Sequence, residues 1–516
     1  MTMETVFSQA AEKVAGGRVI RGLSADALRK LASPEERTTK YGSASYITRV
    51  RSRSAKFTEI AFRPDAGHPE LMEKVVRHLA GRELLSIDRI MCMHDGYRTR
   101  IRLFVTKEHA RLAYMWGRQL FEPPDAAGEK DAGGAKADFT IVGVPDWPER
   151  RIIVDPVSYT TFILGSDYCG EVKKAGLRMM MHAHKAKRGG LGLHAGSKVL
   201  RVRDAASGKI VEKGMLLFGL SATGKTTLTC HHHWLDAGAG EEVRIRQDDV
   251  VLLNRDGSAA GTEDNFYIKT DGLEPDSQPL LYKGAISPNA ILENVKVDGD
   301  GNVDFFDNSI TSNGRGVVMR SELDYTDGSI DVGRVDMIVF ITRRKTIVPP
   351  IARLTPEQAA AFFMLGESVE SSAGDPAQAG NAIRVVGTNP FIIGPPEEEG
   401  NRFYEILKAN PKAECYLLDT GRFGAHPGSD EGVKITVYDS ARLLADAARG
   451  AIKWKKDPDW GYEVAAEVGD VDMKHFDPRA FYGNDEYGRL TEELRRERRE
   501  WLGRFPGLDR RIADSI

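Results

Sequence analysis

"GLSATGKTTL", residues 219–228, follows the apolar run "MLLF" at 215–218 and precedes "TCHHHWL" at 229–235. Gly219, four further residues, then Gly224, Lys225 and Thr226 satisfy the spacing G-x-x-x-x-G-K-[ST]. In that spacing the glycines let the main chain curl round phosphate oxygens. The N-terminus of the following helix offers free N–H groups to an anion, and the lysine reaches the outer phosphates. The threonine hydroxyl serves the divalent cation that accompanies them. The motif needs a strand before it and a helix after it; "MLLF" supplies the first, and "TTLTCHHHWL" predicts the second.

Working outward, short apolar runs recur at 250–253 ("VVLL"), 337–342 ("MIVFIT") and 415–420 ("CYLLDT"), separated by helical patterns. This alternation predicts a sheet covered by helices, hence an α/β protein. Thr355 as N-cap, Pro356 at the first helical position and Gln358 at the third form a capping box ahead of "AAAFFML". "ELMEKVVRHLAG" (70–81) places Leu71, Val75 and Leu79 on one helical stripe that faces a core. The run "RRERRE" (495–500), near Leu490, Leu494 and Trp501, reads as a solvated helix face. Segments 122–138, 236–242 and 394–400, rich in Pro, Gly, Ala and charge, read as surface loops.

Bulk properties exclude several classes. With 516 residues, 41% hydrophobic and 28% charged, the chain suits a two- or three-domain globular protein able to bury a deep site. It carries no run of eighteen apolar residues, so a membrane span is not expected. The net charge of -3, with Lys and Arg dispersed, argues against nucleic acid as a partner. The first residues lack the basic and apolar regions of a signal peptide, and a cytoplasmic location is expected. Cys92, Cys169, Cys230 and Cys415 are far apart and predict reduced, mostly buried thiols.

A phosphate cradle of this kind needs an acidic residue at a neighbouring strand end to hold metal. "RIRQDDVVLL" offers Asp248 and Asp249. The tract His231, His232, His233, read as part of a helix, points in three directions and cannot converge on one ion. His182 and His184 have no evident co-ligands, and both groups are expected to be structural or solvent-facing.

Upstream lie "GSDYCGEVKKAG" (165–176) and "GLGLHAGSKV" (190–199), and downstream "AILENV" (290–295), "DFFDNSITSNGR" (304–315), "VPPIARLTPEQ" (348–358) and "FDPRAFY" (476–482). In this order, with the glycine-rich motif and the aspartate pair between them, these segments resemble the ATP-dependent phosphoenolpyruvate carboxykinase family from about residue 85 to about residue 485. The resemblance implies an α+β N-terminal substrate-side domain (1–205) and a mixed-sheet nucleotide-binding domain (206–516) with a mobile lid near 366–392. It implies ATP, Mn²⁺ and Mg²⁺ as cofactors and oxaloacetate or phosphoenolpyruvate as substrate; the oligomeric state, monomer or small homo-oligomer, stays open.

The resemblance also implies residue roles. Lys174, His194 and Asp249 would ligate Mn²⁺, with Tyr168 and Lys173 lining the substrate pocket. Ser221, Ala222, Thr223, Gly224, Lys225, Thr226 and Thr227 would hold the ATP phosphates, Thr226 also meeting Mg²⁺. Arg315 would contact the transferring phosphoryl group and the substrate, and Lys434, Ile435 and Ser440 would flank the adenine. A lysine ligates metal only when neutral. Holding it so at pH 7 against a reference value of about 10.4 costs roughly 4–5 kcal/mol, which a divalent cation offsets.

Three features depart from the family. The arginine expected to clamp the substrate carboxylate is best matched by Arg53 in "SRSAK", with Arg49 and Arg51 as alternatives. Ala222 stands where the family has glycine, and the segment after "SSAG" (371–374) shares little with the family lid. The divergent arginine segment motivates an alternative reading, a related kinase that phosphorylates a different small acceptor. A noncatalytic nucleotide sensor is a third reading, against which stand the three metal-ligand positions.

Overall fold

The computed structural model describes residues 4–51, 55–124, 135–220, 223–370, 381–426, 429, 431–469 and 471–516. The chain divides into two units. The first comprises Met1–Ala186, Thr262–Pro275 and Leu281–Leu323, and the second Lys187–Gly261, Asp276–Leu280 and Asp324–Ile516.

The first unit is built on strands β1 (Arg18–Ile20), β2 (Thr58–Ile60), β3 (Glu83–Met91), β4 (Thr99–Thr106), β5 (Phe139–Val144), β6 (Arg151–Asp155) and β7 (Thr160–Leu164). They form a mixed sheet in the order β1-β3-β4-β5-β7-β6-β2. Helices α1 (Val6–Ala15) and α2 (His68–Leu79) cover it, burying Phe7, Val14, Met72, Val75 and Leu79 against Phe104, Val142 and Phe162. The α2 stripe is His68, Met72, Val75 and Leu79, so the expected Leu71 lies at its margin, half-buried. A second sheet in this unit has the order 266–269, 315–318, 291–293, 44–46, 37–38. Helix α3 (Cys169–Arg188) carries the Lys-Lys pair.

The second unit has a central sheet of eight strands: β8 (Ala195–Arg203), β9 (Ile210–Gly219), β10 (Glu242–Gln247), β11 (Val335–Thr342), β12 (Ile351–Leu354), β13 (Glu414–Asp419), β14 (Lys453–Lys456) and β15 (Glu463–Glu467). The order is β10-β8-β9-β11-β13-β12-β15-β14, in which the neighbours β9–β11 and β11–β13 pair parallel and the other neighbours pair antiparallel. These three carry the apolar runs at 215, 337 and 415, buried on both faces as parallel strands require. "VVLL" instead joins a separate three-stranded sheet of 191–193, 251–253 and 259–261.

The helix after β9, α4, spans only Lys225–Thr229; the longer helix expected through the histidines does not form. Helix α5 (Pro356–Leu365) starts with the expected reciprocal capping box between Thr355 and Gln358. The segment 394–400, read as a loop, contains the start of α6 (Pro396–Ala409). Pro396 presets the helical φ at N1, and Glu397, Glu398 and Glu399 meet the positive end of the helix dipole. Helix α7 spans Val437–Arg449 and α8 Asn484–Leu502. All four cysteines are buried thiols outside any disulfide. Among the described residues no helix is long and apolar enough to cross a membrane. Within the region 366–392, Glu367–Val369 pairs antiparallel with Ala382–Arg384, and 371–380 lie outside the described residues.

The "RRERRE" face holds one departure from expectation. Arg498 is fully buried, paired with buried Glu367 and lying 4.9 Å from the ring centres of Phe362 and Trp460. Arg384 also pairs with Glu367 at 2.8 Å. Burial opposes ionisation of the Glu367 carboxyl, but Arg498, Arg384 and Arg344 outweigh it and hold its pKa far below the usual range. A depressed carboxylate pKa contributes stability that is present above the unfolded value of about 4.3 and is lost as pH falls below it. Arg498→Met is therefore expected to destabilise the protein by about 3–5 kcal/mol near neutral pH, since it strands a buried charge. The deficit relative to wild type, followed by thermal unfolding at stepped pH, is expected to shrink in acid. A variant as stable as wild type at pH 7 rules out a buried ion pair there.

Candidate active site

In the second unit the phosphate turn leaves β9 at Gly219. Gly224 has φ 96°, a left-handed conformation that L side chains resist, and it hands the chain to α4. Thr223 donates through its hydroxyl to Leu220 O at 2.8 Å, and its own carbonyl accepts from Thr420 Oγ1 at 2.7 Å, at the end of β13. Ser221 and Ala222 lie outside the described residues. Thr226 is half-buried at the helix start, and Thr227 donates to Gln278 Oε1 at 3.0 Å.

His194 and Asp249 meet beside this turn. His194 Nε2 stands 3.0 Å from Asp249 Oδ1, and Lys225 Nζ is 3.4 Å from each. The imidazole is fixed from behind, where Thr388 O accepts from His194 Nδ1 at 2.6 Å. With Nδ1 carrying the proton, Nε2 presents a lone pair toward a carboxylate oxygen. A neutral imidazole and a carboxylate oxygen at that distance can share a bound cation, and a protonated imidazole donates to the same oxygen directly. Adjacent ligands of an octahedral divalent ion at about 2.1 Å are about 3 Å apart, so this donor pair fits Mn²⁺ or Mg²⁺. The Lys225 ammonium occupies the flank of that same pair, a positive charge already matched to it.

The first unit brings together another set. Lys173 pairs with Glu263 at 3.0 Å, both side chains buried, and its ammonium lies 5.5 Å from the centre of the Tyr267 ring. Arg315 stands 5.8 Å from the same ring and donates to Asn313 Oδ1 at 2.8 Å. Asn313 in turn donates to Tyr168 Oη at 3.3 Å and to Arg51 O at 3.0 Å. Glu293 sits behind this cluster, accepting from Tyr267 Oη at 2.8 Å and from Cys169 N at 2.9 Å. Burial pushes the Glu293 carboxyl up and the Tyr267 phenol well up, so each keeps its proton more tightly than in water. Lys174 follows Lys173 on α3 and is half-buried.

Of the three candidate arginines, Arg49 donates to Pro145 O at 2.8 Å, and Arg51 donates to Thr48 O and Ile310 O. Arg51 is the one whose main chain joins the Tyr168 and Arg315 cluster. Arg53 lies outside the described residues. At the base-side candidates, Lys434 is exposed on a short strand paired with Arg422, and Ile435 is buried. Ser440, buried in α7, donates its hydroxyl to Thr436 O at 3.0 Å and keeps acceptor capacity.

The other histidines singled out in the sequence lie apart from the His194–Asp249 pair. His182 and His184 stack edgewise or tilted against Tyr159 and Tyr97. His231 and His233 are buried just past α4. A different trio, Glu59, Asp65 and His68, has ligand atoms close enough for a metal. There Arg151 already holds Glu59 at 2.8 Å, and the His68 ring is bonded to Asp65 N and paired with Glu59. These contacts organise the start of α2.

A family model described as phosphoenolpyruvate carboxykinase matches residues 19–474. Phosphoenolpyruvate carboxykinase (ATP) of Aeropyrum pernix is 35% identical over 494 residues, covering 95% of each chain. The chain belongs to the ATP-dependent phosphoenolpyruvate carboxykinase family. Carboxykinases of the same name from Thermus thermophilus and Rhizobium rhizogenes are 29% and 28% identical over 480 and 434 residues. Those alignments cover 88% and 81% of this chain and 84% and 76% of the relatives. The carboxykinase match begins well before residue 85 and so takes in the Arg49 to Arg53 stretch.

Sequence reasoning missed Glu263 and Tyr267 in the cluster of the first unit and Thr388 behind His194 in the second. Glu293 and Asn313 stood inside segments that carried the family resemblance, yet nothing in their spacing marked them. The only local signal for Thr388 is the Gly387 before it, which helps place a carbonyl behind His194.

Proposed function

We propose that this chain converts oxaloacetate and ATP into phosphoenolpyruvate, CO₂ and ADP, reversibly, with the two halves of the chemistry carried by the clusters described above. The observation that carries the reading is the convergence of His194, Asp249 and Lys225 beside a phosphate turn, in a member of the carboxykinase family. His194 and Asp249 hold Mn²⁺, with Lys174 as a further ligand by the family resemblance, and Thr226 meets the Mg²⁺ that accompanies the nucleotide. Bound metal supplies Lewis-acid polarisation of the substrate oxygens.

The chain's own residues supply the rest. Lys225 and the amides of the phosphate turn neutralise the outer phosphates, and Arg315, by the family resemblance, contributes a planar cation for the transferring group and the substrate. Lys173, held by Glu263, and Tyr168, held by Asn313, shape the substrate side. Arg53 clamps the substrate carboxylate from a stretch whose neighbour Arg51 is anchored at that cluster. Thr223, Gly224 and Thr227, with Ser221 and Ala222, cradle the phosphates, while Lys434, Ile435 and Ser440 receive the base.

A coupled assay of purified protein with oxaloacetate, Mn²⁺ and ATP tests the assignment. Formation of phosphoenolpyruvate and CO₂ is expected with ATP, and turnover at least about 10-fold lower is expected with GTP or pyrophosphate as donor. Tight ATP binding with neither product overturns the oxaloacetate reading and leaves a kinase for another small acceptor.

A further inference from the structure

Behind the phosphate turn lies a buried polar chain that none of the roles above uses. Lys198, on β8, is fully buried between Met215 of β9 and Ile245 of β10. Its ammonium nitrogen donates to Leu228 O, in the last turn of α4, and to His233 Nε2. His233 in turn donates from Nδ1 to Ala441 O in α7 at 3.0 Å, next to Ser440. The chain thus runs from the helix of the phosphate turn, through a strand lysine and a buried imidazole, to the helix that begins at the base-side residues.

Local geometry is arranged around this chain. Gly196, two residues before Lys198, lies so close to α4 that an added Cβ would stand 2.1 Å from Thr229 Oγ1. The short helix therefore rests directly on β8. His233 and Trp234 take φ 56° and 49°, two successive left-handed residues that cost of order 1 kcal/mol each or more and persist only where surroundings hold them. This turn sends the His233 ring inward. Burial keeps that imidazole well below its usual pKa, with Lys198 and His231 adding to the effect. The ring is neutral, with Nδ1 as donor to α7 and Nε2 as acceptor from Lys198. The neighbouring ionisable groups are Cys230 and His231.

We propose that Lys198 and His233 are positioning residues for ATP, a buried tether that sets the distance between the phosphate turn and the base-side helix α7. The inference rests on the reading that Lys225 takes phosphates and Lys434, Ile435 and Ser440 take the base. α4 has a single turn that rests on β8 through Thr229 and Gly196, and the Lys198–His233 chain is what joins it by hydrogen bonds to Ala441 of α7. Without the tether each half still binds its part of the nucleotide. The two halves no longer sit at the separation a single ATP requires.

The test compares ATP with inorganic tripolyphosphate, which engages the phosphate turn alone. In calorimetric titrations Lys198→Met, which keeps length and apolar volume, and His233→Gln are each expected to weaken ATP at least about 10-fold. Tripolyphosphate affinity is expected to stay within about 3-fold of wild type, and KM for oxaloacetate to stay unchanged. If Lys198→Met does not fold, His233→Gln decides alone. Equal loss of ATP and tripolyphosphate, or no loss of either, overturns the tether. Lys225→Ala run alongside separates the two layers: tripolyphosphate binding that survives in that variant removes the reading of the phosphate turn itself.

Discussion

Lys225→Ala is expected to abolish ATP-dependent phosphoenolpyruvate formation, lowering kcat by more than about 1,000-fold. The expectation follows from charge. A partly screened unit pair at 4 Å is worth about 4 kcal/mol, and a loss of that size in the transition state alone is about three powers of ten. The Lys225 ammonium is nearly buried and stands at the start of α4, where no second lysine of the phosphate turn can replace it. Its contacts to His194 and Asp249 at 3.4 Å add a second consequence. The metal ligands themselves are untouched in the variant, so Mn²⁺ binding, read by electron paramagnetic resonance, is expected to persist while turnover disappears. Wild-type turnover in Lys225→Ala removes the phosphate-turn assignment.

How much of this site could be read in the sequence follows from where its constraints are local. The phosphate turn is a covalent neighbourhood: glycine at 224 is needed for φ 96°, and the lysine must follow at once, so the motif is visible in eight letters. The phosphate motif's need for an acidic strand end pointed to Asp248 and Asp249, whereas His194 and the choice of Asp249 came from the family resemblance, since nothing in either neighbourhood predicts an approach of 3.0 Å. Glu263 pairs with a lysine ninety positions earlier in the chain, and Thr388 acts through a main-chain carbonyl, so neither leaves a pattern.

The fold shows the same division. The capping box at Thr355 and the apolar runs of the central strands are local and appeared where expected. The histidine tract after Lys225 looked helical because the phosphate motif calls for a following helix, but Thr, Cys and His are weak helix formers, and with His233 bonded to Lys198 and Ala441 the helix ends after one turn. Arg498 looked like one more solvated charge because the glutamate that buries it lies 131 residues away. The start of α6 was legible in principle, since Pro396 followed by three glutamates is a helix start, but the glycine and prolines before it carried the opposite signal.

Asp249→Asn is expected to weaken Mn²⁺ binding by more than about 100-fold, beyond the 10- to 100-fold typical of residues that merely support a metal ligand. The substitution keeps volume and removes the negative charge. It also changes the hydrogen bonding in a way that disfavours the ion. An asparagine amide can donate an N–H to the His194 lone pair that stands 3.0 Å from Asp249 Oδ1, satisfying both groups without any cation. His194 stays held by Thr388 O, while the Lys225 ammonium loses its carboxylate partner at 3.4 Å, so a destabilisation of about 1–3 kcal/mol and a fall of a few degrees in melting temperature are expected. ATP affinity without Mn²⁺ is expected to remain near wild type, since the phosphate turn is intact. Asp248→Asn, one residue earlier, is expected to weaken Mn²⁺ by less than about 10-fold. A normal Mn²⁺ titration in Asp249→Asn, or an equal loss in the two variants, takes Asp249 out of the metal site and with it the geometric support for the carboxykinase chemistry proposed here.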